Sequence, residues 1–257
     1  MASQLQDKVI VITGSMGAAG GAAVKLFLES GAFVAACDIK AENEFSEKAL
    51  LLERFGSNRL LYVQADMNEE SQVQNLFTRV SFHFGRLDGS FHTTYTNLTG
   101  RIEDQSLQDW EASTRGTLTS TFLVTKYAAK LMADTGGGSI VNVSSVLGTI
   151  PKKANAAYGA GKAGIEQFTR VAAVEYAKYG IRANTIVPGD FKSEESLARF
   201  TEQQKEEMRQ TTLVGRSGFA VEIAEVAAFL LSDASSYVTG SLYPVTGGIW
   251  LSPDRNV

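Results

Sequence analysis

The chain has a single cysteine, Cys37, in 257 residues. It cannot close an internal disulfide, which excludes a disulfide-stapled secreted scaffold and makes a reducing, cytoplasmic setting the expectation. Histidine is nearly as scarce, with only His83 and His92. Neither has partners at metal-ligand spacing, so no metal is expected, and no Ser-His-Asp arrangement can be built on them. His83 reads as a helix residue and His92 as a strand-end residue within reach of a ligand. No apolar stretch of about 18 residues occurs, so no membrane-spanning helix is expected. Long basic runs are absent and the formal net charge is -4, which argues against nucleic acid or an anionic membrane as partner. The N-terminal Met-Ala-Ser-Gln-Leu-Gln-Asp-Lys carries no apolar h-region, so a signal peptide is not expected. Linkers, low-complexity tracts and internal repeats are missing too, and 1–257 is expected to be one domain.

What is present is an ordinary globular composition, 44% hydrophobic and 20% charged, on a chain long enough for a sizeable core. Short apolar runs alternate with segments of helical period. Strands are expected at Val9–Ile12, Ala32–Cys37, Leu60–Val63, Leu87–Phe91, Ser139–Val143, Ile181–Val187 and Leu242–Val245. Helices are expected at about Ala22–Ser30, Glu42–Phe55, Glu69–Phe84, Leu107–Ala133, Asn155–Tyr179 and Val221–Leu231, with a charged helical segment over Ser193–Gln210. Apolar strands joined by helices imply a parallel sheet covered on both faces. The expected fold is α/β, a single-domain, doubly wound, Rossmann-like parallel sheet of about seven strands. Ligands of such a sheet bind at the carboxyl ends of its strands. Segment 190–215, beyond the sixth strand, is placed to close over that edge as a substrate lid.

The most informative stretch runs from Ser144 to Lys162. Ser144 and Ser145 end the fifth strand, and Tyr158 and Lys162 occupy the first turns of the next helix. One helical turn apart, the two share a face. A free phenol titrates near about 10, and a neighbouring ammonium favours the phenolate. A phenol so tuned exchanges a proton with an alcohol or carbonyl oxygen, which a serine hydroxyl can hold in place. A Tyr-x-x-x-Lys spacing alone is common by chance. The strand-end serines upstream turn it into a catalytic expectation for Ser145, Tyr158 and Lys162.

Gly14 to Gly21 is a small-residue loop between the first strand and the first helix. That order makes a pyrophosphate site from bare backbone N–H groups and the helix dipole. Asp38 ends the second strand about 20 residues on, where an acid holds ribose hydroxyls and repels a 2′-phosphate, so NAD(H) is expected over NADP(H). Asp66 ends the third strand; it either accepts from an adenine amino group or caps the following helix, and both readings stay open. Pro188-Gly189 ends the sixth strand, where a turn would pass beside a nicotinamide.

With these pieces in place, the chain resembles the short-chain dehydrogenase/reductase family from about Lys8 to Ile249. The resemblance rests on Asn142-Val143-Ser144-Ser145, Tyr158-Gly-Ala-Gly-Lys162, Pro188-Gly189 and Ser232-Asp233-Ala-Ser-Ser-Tyr-Val-Thr-Gly240. It implies hydride transfer between a nicotinamide dinucleotide and a small-molecule alcohol or carbonyl. In that scheme Ser145 orients the substrate oxygen, Tyr158 is the acid/base, and Lys162 lowers the tyrosine pKa and holds the nicotinamide ribose. The implied cofactor set is Gly14, Ser15, Met16, Ala19, Gly20, Asp38, Asp66, Met67, Thr93, Tyr158, Lys162, Pro188, Gly189, Phe191 and Ser193. A homo-oligomer, dimer or tetramer, is implied by Ser232–Gly240, which looks like the family's tetramer-supporting motif.

The departures are specific. Ala18 stands at the middle glycine of Thr-Gly-x-x-x-Gly-x-Gly, with Gly17 before it. His92-Thr93-Thr94-Tyr95 replaces Asn-Asn-Ala-Gly and puts a large ring where a glycine lets the cofactor pass. Thr117 aligns with a helix asparagine of the family's proton relay, and Thr246 with a common aspartate. Two alternatives follow. One is a non-redox enzyme on the same fold (lyase, dehalogenase-like or cyclase) using Ser145 and Tyr158. The other is a non-catalytic binding protein.

Overall fold

The apolar runs form the strands of a computed structural model that describes residues 4–251; residues 1–3 and 252–257 of the expected domain lie outside the described residues. Six runs give β1 (Val9–Thr13), β2 (Phe33–Asp38), β3 (Leu60–Gln64), β4 (Gly89–His92), β5 (Gly138–Val143) and β6 (Ile181–Pro188). Two short strands follow, β7 (Phe191–Lys192) and β8 (Gly218–Phe219), and then β9 (Leu242–Val245). The main sheet has seven strands in the order β3-β2-β1-β4-β5-β6-β9, every neighbour parallel. The chain winds outward from β1 to β3, then restarts at β4 and winds the other way. The switch point between β1 and β4 opens a crevice at the strands' carboxyl ends.

The helices are α1 (Ala18–Glu29), α2 (Lys48–Phe55), α3 (Glu70–Phe84), α4 (Leu107–Thr114), α5 (Ser120–Thr135), α6 (Ala156–Tyr176), α7 (Glu194–Ala198), α8 (Glu202–Thr211) and α9 (Ala220–Leu231). Strand alternation decides which layer each side chain joins. Ile10 and Ile12 pack with Phe27 of α1 and Ile223 of α9. Val9 and Val11 pack with Leu76 of α3 and Val124 of α5. Both faces are thus apolar and covered, the arrangement that near-continuous hydrophobic strands require. At the centre of β5, Asn142 is buried and donates to Thr169 Oγ1 on α6 at 3.0 Å, a structural tie.

The helix expected over Glu42–Phe55 is confined to α2, with only a 3₁₀ turn at Glu42–Glu44, and three further local outcomes differ from the sequence expectation. First, α1 begins at Ala18 and not Ala22, because the small residues after Gly17 are themselves helical. Second, the single helix expected over Leu107–Ala133 is interrupted by a π turn at Arg115–Thr119. There Ser120 Oγ donates to Gly116 O at 3.0 Å and Thr121 Oγ1 to Thr117 O at 2.7 Å; such hydroxyl back-bonds compete with the regular ladder. Third, the charged segment after β7 is two helices. Thr201 and Gln204 form a capping box that separates α7 from α8. The excursion is tied at its base by the β7–β8 pair and by Asp190, which accepts from Lys192 Nζ and from Ser217 Oγ. Among the described residues, no helix is long and apolar enough to cross a membrane, and no cluster of three or more His, Cys, Asp or Glu could hold a metal.

Candidate active site

The crevice at the switch point is a cleft of about 700 Å³, in the size range of small-ligand sites. One end is built by the β1–α1 turn. Gly14 takes φ +73°, and a Cβ there would lie 2.5 Å from Thr93 Oγ1, so glycine is required for both conformation and contact. Gly17 is the N-cap of α1; no side chain caps that helix and its first turn contains no acid. Its first N–H groups and dipole are therefore offered to the cleft, the arrangement that suits a phosphate. Asp38, at the end of β2, fixes the turn by accepting from Met16 N at 2.9 Å and also accepts from Lys40 N at 3.3 Å. Its carboxylate lines the same end of the cleft.

The other end holds the residues of the expected acid/base set. Ser145 follows β5; its hydroxyl accepts from Leu147 N at 3.2 Å and acts on the Tyr158 phenol, whose pKa it lowers. Ser144 faces the opposite way, donating to Lys162 O and Glu166 Oε1, each at 2.9 Å, and so pins α6 to the end of β5. Lys162 is only 1% exposed; its Nζ donates to Val143 O at 2.8 Å and lies 5.5 Å from the Tyr158 ring centroid. Burial pushes the Tyr158 phenol up to about 12, against the lowering pull of the Ser145 hydroxyl. Burial also brings Lys162 down to about 7. The expected lowering of the phenol by the ammonium is therefore corrected. In this apolar setting desolvation disfavours both charged forms, and no pull from Lys162 on the phenol offsets it.

The cleft brings together Gly14, Met16, Ala19, Asp38, Asp66, Met67, Thr93, Ser145, Tyr158, Lys162, Pro188, Gly189 and Phe191. Three expected residues are not part of its lining. Ser15 is buried, with its N–H on Cys37 O and its hydroxyl unpartnered. Gly20 lies under the turn, where a Cβ would stand 2.0 Å from Gly14 O. Ser193 caps α7 by accepting from Ser196 N at 3.2 Å. The capping alternative for Asp66 also falls, since Glu69 is the N-cap of α3 and Asp66 Oδ1 instead closes a local turn on Asn68 N at 2.9 Å. His92 does not reach the cleft. It is buried, its Nδ1 lies 2.7 Å from Thr13 Oγ1, and burial together with Lys162 brings its pKa down to about 3.

Thr96 and Lys192 line the cleft, as expected of the segments Tyr95–Leu98 and Phe191–Leu213, whereas the lining residues Lys40 and Gly116 escaped the sequence reading. Thr96 and Gly116 meet because a Cβ on Gly116 would overlap Thr96 Oγ1 at 2.1 Å. Thr117 Oγ1 donates to Thr96 O at 3.0 Å. Gly116 and Thr117 both lie in the π turn, which leaves no periodic signal. Tyr95, the residue that replaces the family glycine, lies edge-on to Tyr158 with centroids 5.6 Å apart and planes at 67°.

A family model described as enoyl-(acyl carrier protein) reductase matches residues 16–250. The cis-4-hydroxycyclohexanecarboxylate dehydrogenase of Sinomonas cyclohexanicum is 33% identical over 249 residues, covering 96% of this chain and 98% of that one. An NAD-dependent glycerol dehydrogenase of Listeria innocua is 31% identical, covering 95% and 94%. Among solved structures, a short-chain type dehydrogenase/reductase from Mycobacterium ulcerans superposes with a TM-score of 0.87 at 27% identity, covering 98% of this chain and 92% of that one.

Proposed function

The chain belongs to the short-chain dehydrogenase/reductase family and is an oxidoreductase of that family; from that premise we propose that it is NAD(H)-dependent and interconverts a secondary alcohol and a ketone by Ser145–Tyr158–Lys162 chemistry. The observation that carries this reading is the convergence of two features in one cleft. Ser145, Tyr158 and Lys162 stand at one end, and the uncapped α1 N-terminus with the Asp38 carboxylate stands at the other. The donor set at that second end fits a nucleotide diphosphate: α1 N–H groups for the pyrophosphate, a carboxylate for ribose hydroxyls, and bare Gly14 for close approach. The nicotinamide supplies or accepts the hydride when bound. In the reductive direction, Ser145 and Tyr158 hydroxyls hold the carbonyl oxygen, and Tyr158 gives its proton to that oxygen as the alcohol forms. In the oxidative direction the Tyr158 oxygen takes the hydroxyl proton. Lys162 supports the phenolate that results.

Asp38 favours NAD(H), since its carboxylate would repel a 2′-phosphate; the name of the Listeria relative agrees. The substrate we favour is a cyclic secondary alcohol or its ketone, by likeness to the Sinomonas relative. The excursion 190–215 serves as the lid, with α8 lacking buried residues and its base held by Asp190. A cytoplasmic homo-oligomer is the proposed setting. A free, buried Cys37 suits it, as do exposed apolar residues such as Leu107, Val174 and Tyr237. Fluorescence titration with NADH and NADPH tests the assignment. NADH is expected to bind at least about tenfold more tightly, a difference near 1.4 kcal/mol. Binding of neither dinucleotide would sink the redox reading and leave the non-redox alternative.

A further inference from the structure

Lys162 is a buried ammonium with few partners. Its Nζ has one hydrogen-bond acceptor, Val143 O, whereas an ammonium has three donors to satisfy. Two aromatic faces cover the rest of it: Nζ lies 5.4 Å from the Tyr95 ring centroid and 5.5 Å from that of Tyr158. Both distances fall within cation–π range, and the interaction strengthens when the cation is desolvated. Other titratable groups in the surroundings do not replace this support. Buried His92 acts on Lys162 only as a neighbour that any positive charge would repel. The Glu166 carboxylate, one turn along α6, is engaged by Ser144.

Tyr95 is held where it is by its own segment. Thr93 Oγ1 donates to Thr13 O at 2.7 Å, Thr117 Oγ1 donates to Thr96 O at 3.0 Å, and Leu98 N donates to Ser113 Oγ at 3.1 Å. Gly116 leaves the space that Thr96 fills. The ring is thus anchored through its backbone on both sides, although 60% of the residue is exposed. Nothing in the core needs so large a side chain there.

We propose that Tyr95 is a positioning residue whose ring face holds Lys162 as a cation beside Tyr158. At this position a glycine would leave the buried ammonium with one carbonyl and one ring, and an aliphatic side chain would exclude water without replacing the lost attraction. The purpose of this contact rests on the Ser145–Tyr158–Lys162 reading above, but the contact can be measured on the lysine itself, so the two can fail separately.

The test is an NMR titration of the Lys162 side chain in protein carrying labelled lysine, with Lys162→Met used to assign the signal. In the unaltered protein, burial is expected to place this titration at about 7. Tyr95→Phe keeps the ring and is expected to shift that titration by less than about a third of a unit. Tyr95→Leu keeps bulk without a π face and is expected to lower it by about one unit. Circular dichroism verifies that both variants fold, which the exposure of Tyr95 favours. A Leu variant that titrates like the parent, or a Phe variant that falls as far as Leu, would overturn the proposal.

Discussion

Tyr158 and Lys162 illustrate how burial changes what a residue pair can do. A phenol pushed up to about 12 is neutral throughout the physiological range, so it stands ready to give a proton and not to take one. The sign of the pH dependence follows. Carbonyl reduction uses the neutral phenol, whose population is constant below its pKa. Alcohol oxidation uses the phenolate, whose population rises about tenfold per pH unit below that pKa. From about pH 6 to pH 9, kcat/KM for oxidation is therefore expected to climb while that for reduction does not climb. A reductive rate that rises with pH over the same interval would contradict this assignment. Tyr158→Phe removes the transferable proton while leaving the ring in place against Tyr95. Its kcat should drop by about 10²–10⁴-fold, with NADH affinity unchanged in the same fluorescence titration. A large loss of NADH affinity would mean that the phenol serves binding and not proton transfer.

At the scale of an element, the β1–α1 turn shows which glycines matter. Gly20 cannot gain a methyl group without moving the Gly14 carbonyl, since its Cβ would stand 2.0 Å from that oxygen. Gly20→Ala is accordingly expected to destabilise the protein by about 1–3 kcal/mol and to abolish NADH binding. Ala18 is different: it is exposed at the start of α1, outside the packed part of the turn. Ala18→Gly should leave NADH affinity within about threefold, less than 1 kcal/mol. A large gain would show that the methyl group obstructs the pyrophosphate after all. Denaturant melts and the dinucleotide titration measure both variants. This turn was visible in the sequence because strand, small residues and helix come in a fixed order. The π turn at Arg115–Thr119 was not. It inserts into an otherwise regular 3.6-residue period, and its cause is local hydroxyl back-bonding that a periodicity argument does not register. Gly116, which lies within that turn, was missed for the same reason.

Across the whole molecule, the seven main strands fell within about two residues of their expected ends, because apolar runs such as Val9–Ile12 and Ile181–Val187 must be buried on two faces and have few other ways to be so. Ser15 and Ser193 stood near the right strand ends, but their side chains turned into the core or onto a helix end, and spacing carries no information about side-chain direction. His92 was misplaced likewise: a strand-end position looks ligand-facing until the Thr13 hydroxyl is seen beneath it. Its burial has a consequence for the entire fold. Burial, with Lys162 adding to it, brings the folded imidazole down to about 3 from an ordinary value of 6.5. The unfolded chain therefore binds more protons than the folded one between those values. The histidine's contribution to stability is full above about pH 6.5 and is lost as pH falls, by about 1.4 kcal/mol per unit once below it. Lowered carboxylates such as Glu222 and Asp233 add their own losses, but only below their ordinary values of 4.5 and 3.8. The interval from about pH 6.5 to pH 5 thus isolates the histidine, with roughly 2 kcal/mol at stake. For a chain of this length that corresponds to about 4–8 °C in Tm. His92→Asn keeps a polar side chain beside Thr13 and removes the titration, so its Tm should be nearly flat across the interval in which the parent declines. Parallel slopes for the two proteins in calorimetry would show that His92 does not set the acid limit.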